Sequence, residues 1–272
     1  MAVVFARHFL GMRVSVHMGL RLVAGLLFCF VLVSARAQTI SVSEQYLFQA
    51  ANAERAQRGL PALRWDAALY RAAQRHAQEM AKRQNISHQY PGEPELADRG
   101  KNAGAKFSVI SENVAEAGTA VRIHDAWMNS PGHRENLLDP RVDAVGISVL
   151  QRDGQLYAVQ DFERTVATLS LDDQEKVVAR LMLAAGRIKI LPESDDARQT
   201  CAMSKGYAGV REPNFVTHFT AGDLSRIPDS LIAQIQSGRY LEASVGACAS
   251  KNSGAFTTYN IAVMLYQSAP TY

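Results

Sequence analysis

The dipeptide Asp153-Gly154, set between the apolar runs Ala144 to Leu150 and Leu156 to Phe162, restricts this fold more than any other feature. Asp-Gly between two strand-like runs suits the left-handed backbone of a tight turn, so the segment reads as an antiparallel hairpin. What precedes it is helical or irregular. Ser43 to Arg58 has helical periodicity, with Leu47, Ala51, Glu54 and Arg55 on one face, until Gly59 and Pro61 end it. Asp66 is placed to cap a second helix whose stripe is Leu69, Ala72, Ala73, His76, Ala77 and Met80. From Ser87 to about Ala117, Pro91-Gly92, Pro94, Gly100 and Gly104 predict a long irregular segment, and loops of that length usually carry function. Thr119 to Asn129 is helical again, and Ser130-Pro131 opens one more helix, with the serine as cap. Helices, a long loop and a closing hairpin predict helices on both faces of an antiparallel sheet, an α+β arrangement.

After Arg164 the pattern restarts. A helix capped at Leu171-Asp172 runs to about Ala185, Arg198 to Thr220 is less regular, and Pro228 to Ser237 forms a short helix closed by Gly238. Tyr240 to Cys248 and Phe256 to Gln267 read as strands paired across Asn252-Ser253-Gly254. The expected organisation is a first domain over 41–165 and a second, smaller α+β domain over 166–272. No sequence repeat is visible between them.

Residues 1–37 read differently. Arg7, Arg13 and Arg21 precede an apolar run from Leu22 to Val33 and then Ala35-Arg36-Ala37, the pattern of a secretory signal peptide cleaved after Ala37. The formal charge of +3 depends on this segment, which holds four arginines and no acid, so the mature chain is near −1. That balance argues against nucleic-acid binding, which needs a basic face on the folded part. The remaining cysteines, Cys201 and Cys248, form one pair, and in an exported chain that pair reads as a disulfide. The expectation is a secreted protein, extracellular or periplasmic, with no transmembrane segment in its mature chain.

Several motifs, in register over about 120 residues, resemble the bacterial branch of the CAP superfamily (cysteine-rich secretory proteins, antigen 5, pathogenesis-related 1; the SCP domain). They are Asn52-Ala53-Glu54-Arg55, Gly59 to Asp66, His88, Ser111-Glu112-Asn113-Val114-Ala115, Trp127 to Leu138, and Gln160-Asp161-Phe162. The resemblance covers roughly 41–165. It implies an α-β-α sandwich and a cleft where two His and two Glu converge, which in some members holds a divalent cation. By motif, His88 matches the first His, Glu112 the Glu, and His133 the second His. The fourth position departs, because Ser130 stands where family members place a Glu.

Those three residues define the candidate cavity. His88 and His133 are candidate ligands for zinc or another divalent cation, since neutral imidazole suits such ions, and Glu112 is a third ligand or a candidate general base. No cofactor is fixed by the sequence. His133, at a helix N-terminus beside Arg134, is expected to stay neutral. His76 reads as buried and hydrogen-bonded, His124 as a surface residue, Trp127 as core, and Asn113 and Asn136 as ties for loop backbone. There is no nucleophile elbow, no His-Glu-x-x-His and no Gly-rich phosphate loop. The reading favours a non-catalytic binding module for a lipid, a cell-wall component, a metal or another protein. The alternative is a metal-dependent or Ser-His-Glu hydrolase acting on peptide or cell-wall substrates.

Overall fold

Ser41 opens the first helix of the fold through a reciprocal cap. In a computed structural model that describes residues 40–249 and 254–267, its hydroxyl accepts from the Glu44 N–H (3.2 Å) while Glu44 accepts from the Ser41 N–H (2.7 Å). The second Glu44 oxygen accepts from the Val149 N–H at 3.0 Å, so the same cap pins helix α1 (Val42–Gln57) to a strand. The proposed signal segment, its cleavage point and Asn252-Ser253 lie outside the described residues.

Strands β1 (Arg64–Trp65), β2 (Phe107–Ala117), β3 (Ala144–Arg152) and β4 (Gln155–Thr165) form one sheet in the order β1-β3-β4-β2. β3 and β4 are the expected hairpin; Asp153 and Gly154, at φ 50° and 80°, take the two left-handed positions of its turn. α2 (Ala67–Arg83), capped by Asp66, lies on one face. It comes so close that a Cβ at Gly146 would overlap the backbone of Leu69 and Tyr70, which is why the stripe is built from alanine. α1, α4 (Ala120–Asn129) and α5 (Pro131–Leu138) cover the other face, burying Leu47, Trp127 and Leu137 against Val145 and Phe162. Arg55 is fully buried among them. Its guanidinium donates to the carbonyls of Pro61, Leu137, Asp139 and Val142 at 2.9–3.2 Å, satisfying groups that the end of α5 leaves open.

The segment expected to be irregular contains α3 (Leu96–Asn102) and all of β2. β2 carries Ser111-Glu112-Asn113 at its middle, so its apolar residues do not alternate. It is a strand because β4 pairs with it from Phe107↔Thr165 to Ala117↔Leu156, a non-local contact that local sequence does not encode. Ser130 does occupy the N-cap position before Pro131, but its hydroxyl makes no capping bond.

A second sheet follows: β5 (Lys189–Ile190), β6 (Phe215–Ala221), β7 (Glu242–Cys248) and β8 (Tyr259–Tyr266), ordered β5-β7-β8-β6. α6 (Leu171–Ala185) and α8 (Asp229–Gln236) pack on one face through Val178, Met182, Leu231 and Ile235. The cap of α6 is Ser170, not Leu171-Asp172. α7 (Asp195–Ala202) and β6 arise in the stretch expected to be less regular, and the Cys201–Cys248 disulfide ties α7 to β7.

The two sheets share one topology, although no sequence repeat announces it. In each, a two-residue edge strand runs parallel to the third strand, the third and fourth are antiparallel, and the second lies at the far edge. The helix after the short strand crosses a glycine of the third strand in both cases. At Gly246 a Cβ would overlap the Ala197 backbone, as at Gly146 it would overlap Leu69.

Candidate functional site

Edge strand β2 sends Glu112 to the α2 side and Asn113 to the α5 side. Asn113 donates to the His133 carbonyl (3.0 Å), and Asn136 donates to the Glu112 carbonyl (3.1 Å) and to Asn113 Oδ1 (3.0 Å). These bonds lock α5 against the outer edge of β2 and fix where His133 sits. Both asparagines therefore tie backbone, as expected from short polar side chains.

On the other side, His76 anchors the segment that presents His88. It is fully buried; its Nε2 donates to the Ser87 carbonyl at 2.8 Å and its Nδ1 lies 2.7 Å from Glu93. Arg99, from α3, is buried too. It donates to the His88 carbonyl (3.1 Å) and pairs with Glu112 Oε2. Glu112 Oε1 meets His88 Nδ1 at 2.9 Å, and His76 Nε2 stands 3.8 Å from Oε2.

His88, Glu112 and His133 thus lie together. The His88 side chain is 61% exposed, and its ring centre is 6.3 Å from that of His133. The hydrogen bond to Glu112 raises the His88 pKa above its ordinary 6.5, outweighing partial burial. His133 moves the other way, lowered by burial first and by His88 second. The direction is the expected one, but the cause is not, because the Arg134 guanidinium turns to the Met128 carbonyl at 2.9 Å.

Behind Glu112 stands Asp161, its direct partner in the β2–β4 ladder and fully buried. Burial first, and the Glu112 charge second, push this carboxyl well above the usual range. The neutral form of Asp161 is thereby favoured, and neither of its oxygens has a hydrogen-bond partner among the described residues. Neither Asp161 nor Arg99 is among the candidate residues named from sequence. Asp161 sits inside the Gln160-Asp161-Phe162 motif, but nothing around Arg99 marks it. His124, expected at the surface, is buried at 8% exposure, with its Nε2 3.8 Å from Glu54, because α4 turns that side toward α1.

Two imidazoles on one zinc ion, each about 2.0–2.1 Å from it, set their ring centres on the order of 5–6 Å apart. His88 and His133 approach that spacing. Glu112 does not complete the set, because His88 and Arg99 engage both of its oxygens. Open zinc sites use three protein ligands, and two imidazoles remain here, so this arrangement does not fit a three-ligand centre. Among the described residues, carboxylate oxygens cluster within 4.8 Å at Asp172, Glu175 and Glu193, but Arg198 pairs with Asp172 and donates to Glu175 at 2.8 Å.

Residues 48–162 match the model of the cysteine-rich secretory protein family, CAP. This stretch is a CAP domain. The CAP domain is similar to YkwD, an uncharacterized protein of Bacillus subtilis strain 168. The two are 31% identical over 123 residues, 45% of this chain and 48% of that protein. It is also 29% identical over 126 residues to YlbC, an uncharacterized membrane protein of the same strain, covering 45% of this chain and 34% of that one. The chain thus spans less than half the length of these curated relatives. Among solved structures, an extracellular SCP-domain protein from Bacillus anthracis is 27% identical at a TM-score of 0.42, covering 47% of this chain and 45% of that one. An outer surface protein from Borrelia burgdorferi is 24% identical at a TM-score of 0.43, covering 47% of this chain and 98% of that one.

Proposed function

We propose that this protein is an exported binding module whose CAP cleft grips a small polar ligand, such as a peptide fragment of a bacterial cell wall, between His88 and His133. The observation that carries this reading is the engagement of Glu112. With His88 on one oxygen and Arg99 on the other, the carboxylate is committed to orienting an imidazole and a guanidinium rather than to activating water. The two rings beside it differ in character. His88 is biased toward a charged donor, and His133 toward a neutral ring that both donates and accepts. A carboxylate next to an amide matches that pair. A lipid headgroup, a partner protein and a divalent cation are the competing occupants.

Export is supported by the residue pattern of 1–37 and by the Cys201–Cys248 disulfide. Among the described residues no helix is long and apolar enough to cross a membrane. We assign the CAP unit to 41–165 and a second unit to 166–272, joined through Arg164–Asp223 (2.8 Å) and the Thr257 N–H to Phe107 carbonyl bond (2.8 Å).

Calorimetric titration of the purified protein with muropeptides tests the reading. Binding that disappears in His88→Ala and in His133→Ala, yet survives in His124→Ala, supports it. No binding, or stoichiometric zinc lost together with the two histidines, overturns it.

A further inference from the structure

Each of the two sheets ends in an edge strand, and the two edges are treated differently. In the first, α5 closes β2 through Asn136, which donates to the outward-facing carbonyl of Glu112. In the second, β6 is the corresponding edge. The ladder row Gly146–Asp161–Glu112 of the first sheet corresponds to Gly246–Ala262–His218. Among the described residues no strand pairs with the outer edge of β6, and none of its 7 residues is buried, whereas its neighbour β8, and β7 beyond it, are buried almost throughout.

Edge strands are ordinarily blunted by lysine, proline or a bulge, because their open N–H and C=O groups recruit other strands. β6, Phe-Val-Thr-His-Phe-Thr-Ala, has no Lys and no Pro, and its register with β8 is unbroken from Phe215 to Ala221. It is shaped to accept a further strand.

Hollows lie on both faces of the same strand. On the α8 side, a cavity of about 490 Å³ is bounded by Phe219, Ala221, Arg164, Asp223 and Arg226. On the α7 side, one of about 350 Å³ is bounded by His218, Thr220, Met203 and the Cys201–Cys248 pair. An added strand projects alternate side chains to opposite faces, so its odd positions fall to one hollow and its even positions to the other.

The charges distinguish the hollows. On the α8 side Arg164 is matched by Asp223 at 2.8 Å, and Asp229 occupies the first turn of α8, where the helix dipole favours an anion. Arg226 has no ion-pair partner among the described residues. The α7 side holds no Asp, Glu, Lys or Arg; the disulfide, Met203 and Ile261 line it beside the polar Ser204, His218, Thr220 and Asn260.

We propose that the outer edge of β6 binds an extended peptide segment of a partner protein by strand addition, with an acidic side chain set against Arg226 and small apolar side chains over the Cys201–Cys248 disulfide. This site is separate from the His88–His133 cleft and does not depend on how that cleft is used.

The test uses the full chain and three synthetic heptapeptides that alternate Glu with Val, alternate Lys with Val, or carry the Glu-Val sequence with N-methyl groups along one edge. Amide NMR follows where each binds. The expected result is that the Glu-Val peptide perturbs β6 amides, that N-methylation abolishes the effect, and that the Lys-Val peptide binds at least tenfold more weakly. Arg226→Glu, an exposed substitution, should reverse the preference between the two charged peptides. Equal binding of the N-methylated peptide, perturbation confined to His88 and His133, or no preference lost in Arg226→Glu overturns the proposal. So does sedimentation showing that β6 is covered by a second copy of this chain.

Discussion

Glu112 and Asp161 stand directly opposite each other on β2 and β4, both buried, and neither Asp161 oxygen has a basic partner. Because the Glu112 carbonyl turns outward to Asn136, the pair is of the non-hydrogen-bonded kind, in which facing side chains come closest. Two carboxylates at that separation cannot both ionise in the interior. Arg99 and His88 both engage Glu112, and burial beside that carboxylate raises the Asp161 pKa.

Asp161→Asn keeps a donor facing Glu112 and removes the proton that titrates. A carboxyl whose folded pKa is raised makes the native state bind more protons than the unfolded one above about pH 4, so stability falls as pH rises. Urea midpoints at pH 5 and pH 8 should therefore differ less in Asp161→Asn than in the parent. An unchanged difference would show that Asp161 is ionised in the fold.

His88 and His133 should titrate on opposite sides of 6.5 in NMR, His88 above and His133 below. For His88 the sign is that of a base gaining a partner. Its bond to Glu112 contributes fully below about pH 6.5 and is lost as pH rises through the folded value. Glu112→Gln should bring His88 back toward 6.5. Coincident titration of the two rings would contradict the geometry.

Glu163, two ladder rows further toward the end of β4, is 1% exposed, and burial with the charge of Asp66 raises it to about 7. Its contribution has the sign of a buried acid, so stability declines between roughly pH 4.5 and 7 as the native state is forced to ionise it. Glu163→Gln retains an acceptor for Thr165. It should gain on the order of 1–2 kcal/mol at pH 8 and little at pH 4.5, read by denaturant melts.

Arg55→Ala leaves four carbonyls, those of Leu137 and Val142 buried, without their donor and opens a cavity beneath α5. A loss of about 3–4 kcal/mol is expected from unsatisfied polar groups and lost packing. Arg55→Lys should recover only part of it, since an ammonium cannot span carbonyls spread over such a fork. A loss below 1 kcal/mol in the alanine variant would mean that water replaces the guanidinium.

Local chemistry was enough for the elements whose signals are local. Asp153-Gly154 specifies its turn through left-handed backbone, Asp66 caps α2, and the Leu69 to Met80 stripe declares which side of α2 is buried. The motifs also named His88, Glu112 and His133. Tertiary structure decided the rest, because the interactions responsible join residues far apart in the chain. β2 exists through its ladder with β4, and His124 is buried by the placement of α1. The surroundings of Glu112 are set by Arg99 and Asp161, 13 residues before it and directly across the sheet. The shared topology of the two sheets lies deeper still. A glycine under a crossing helix is a demand of backbone spacing, and many sequences meet it without resembling one another.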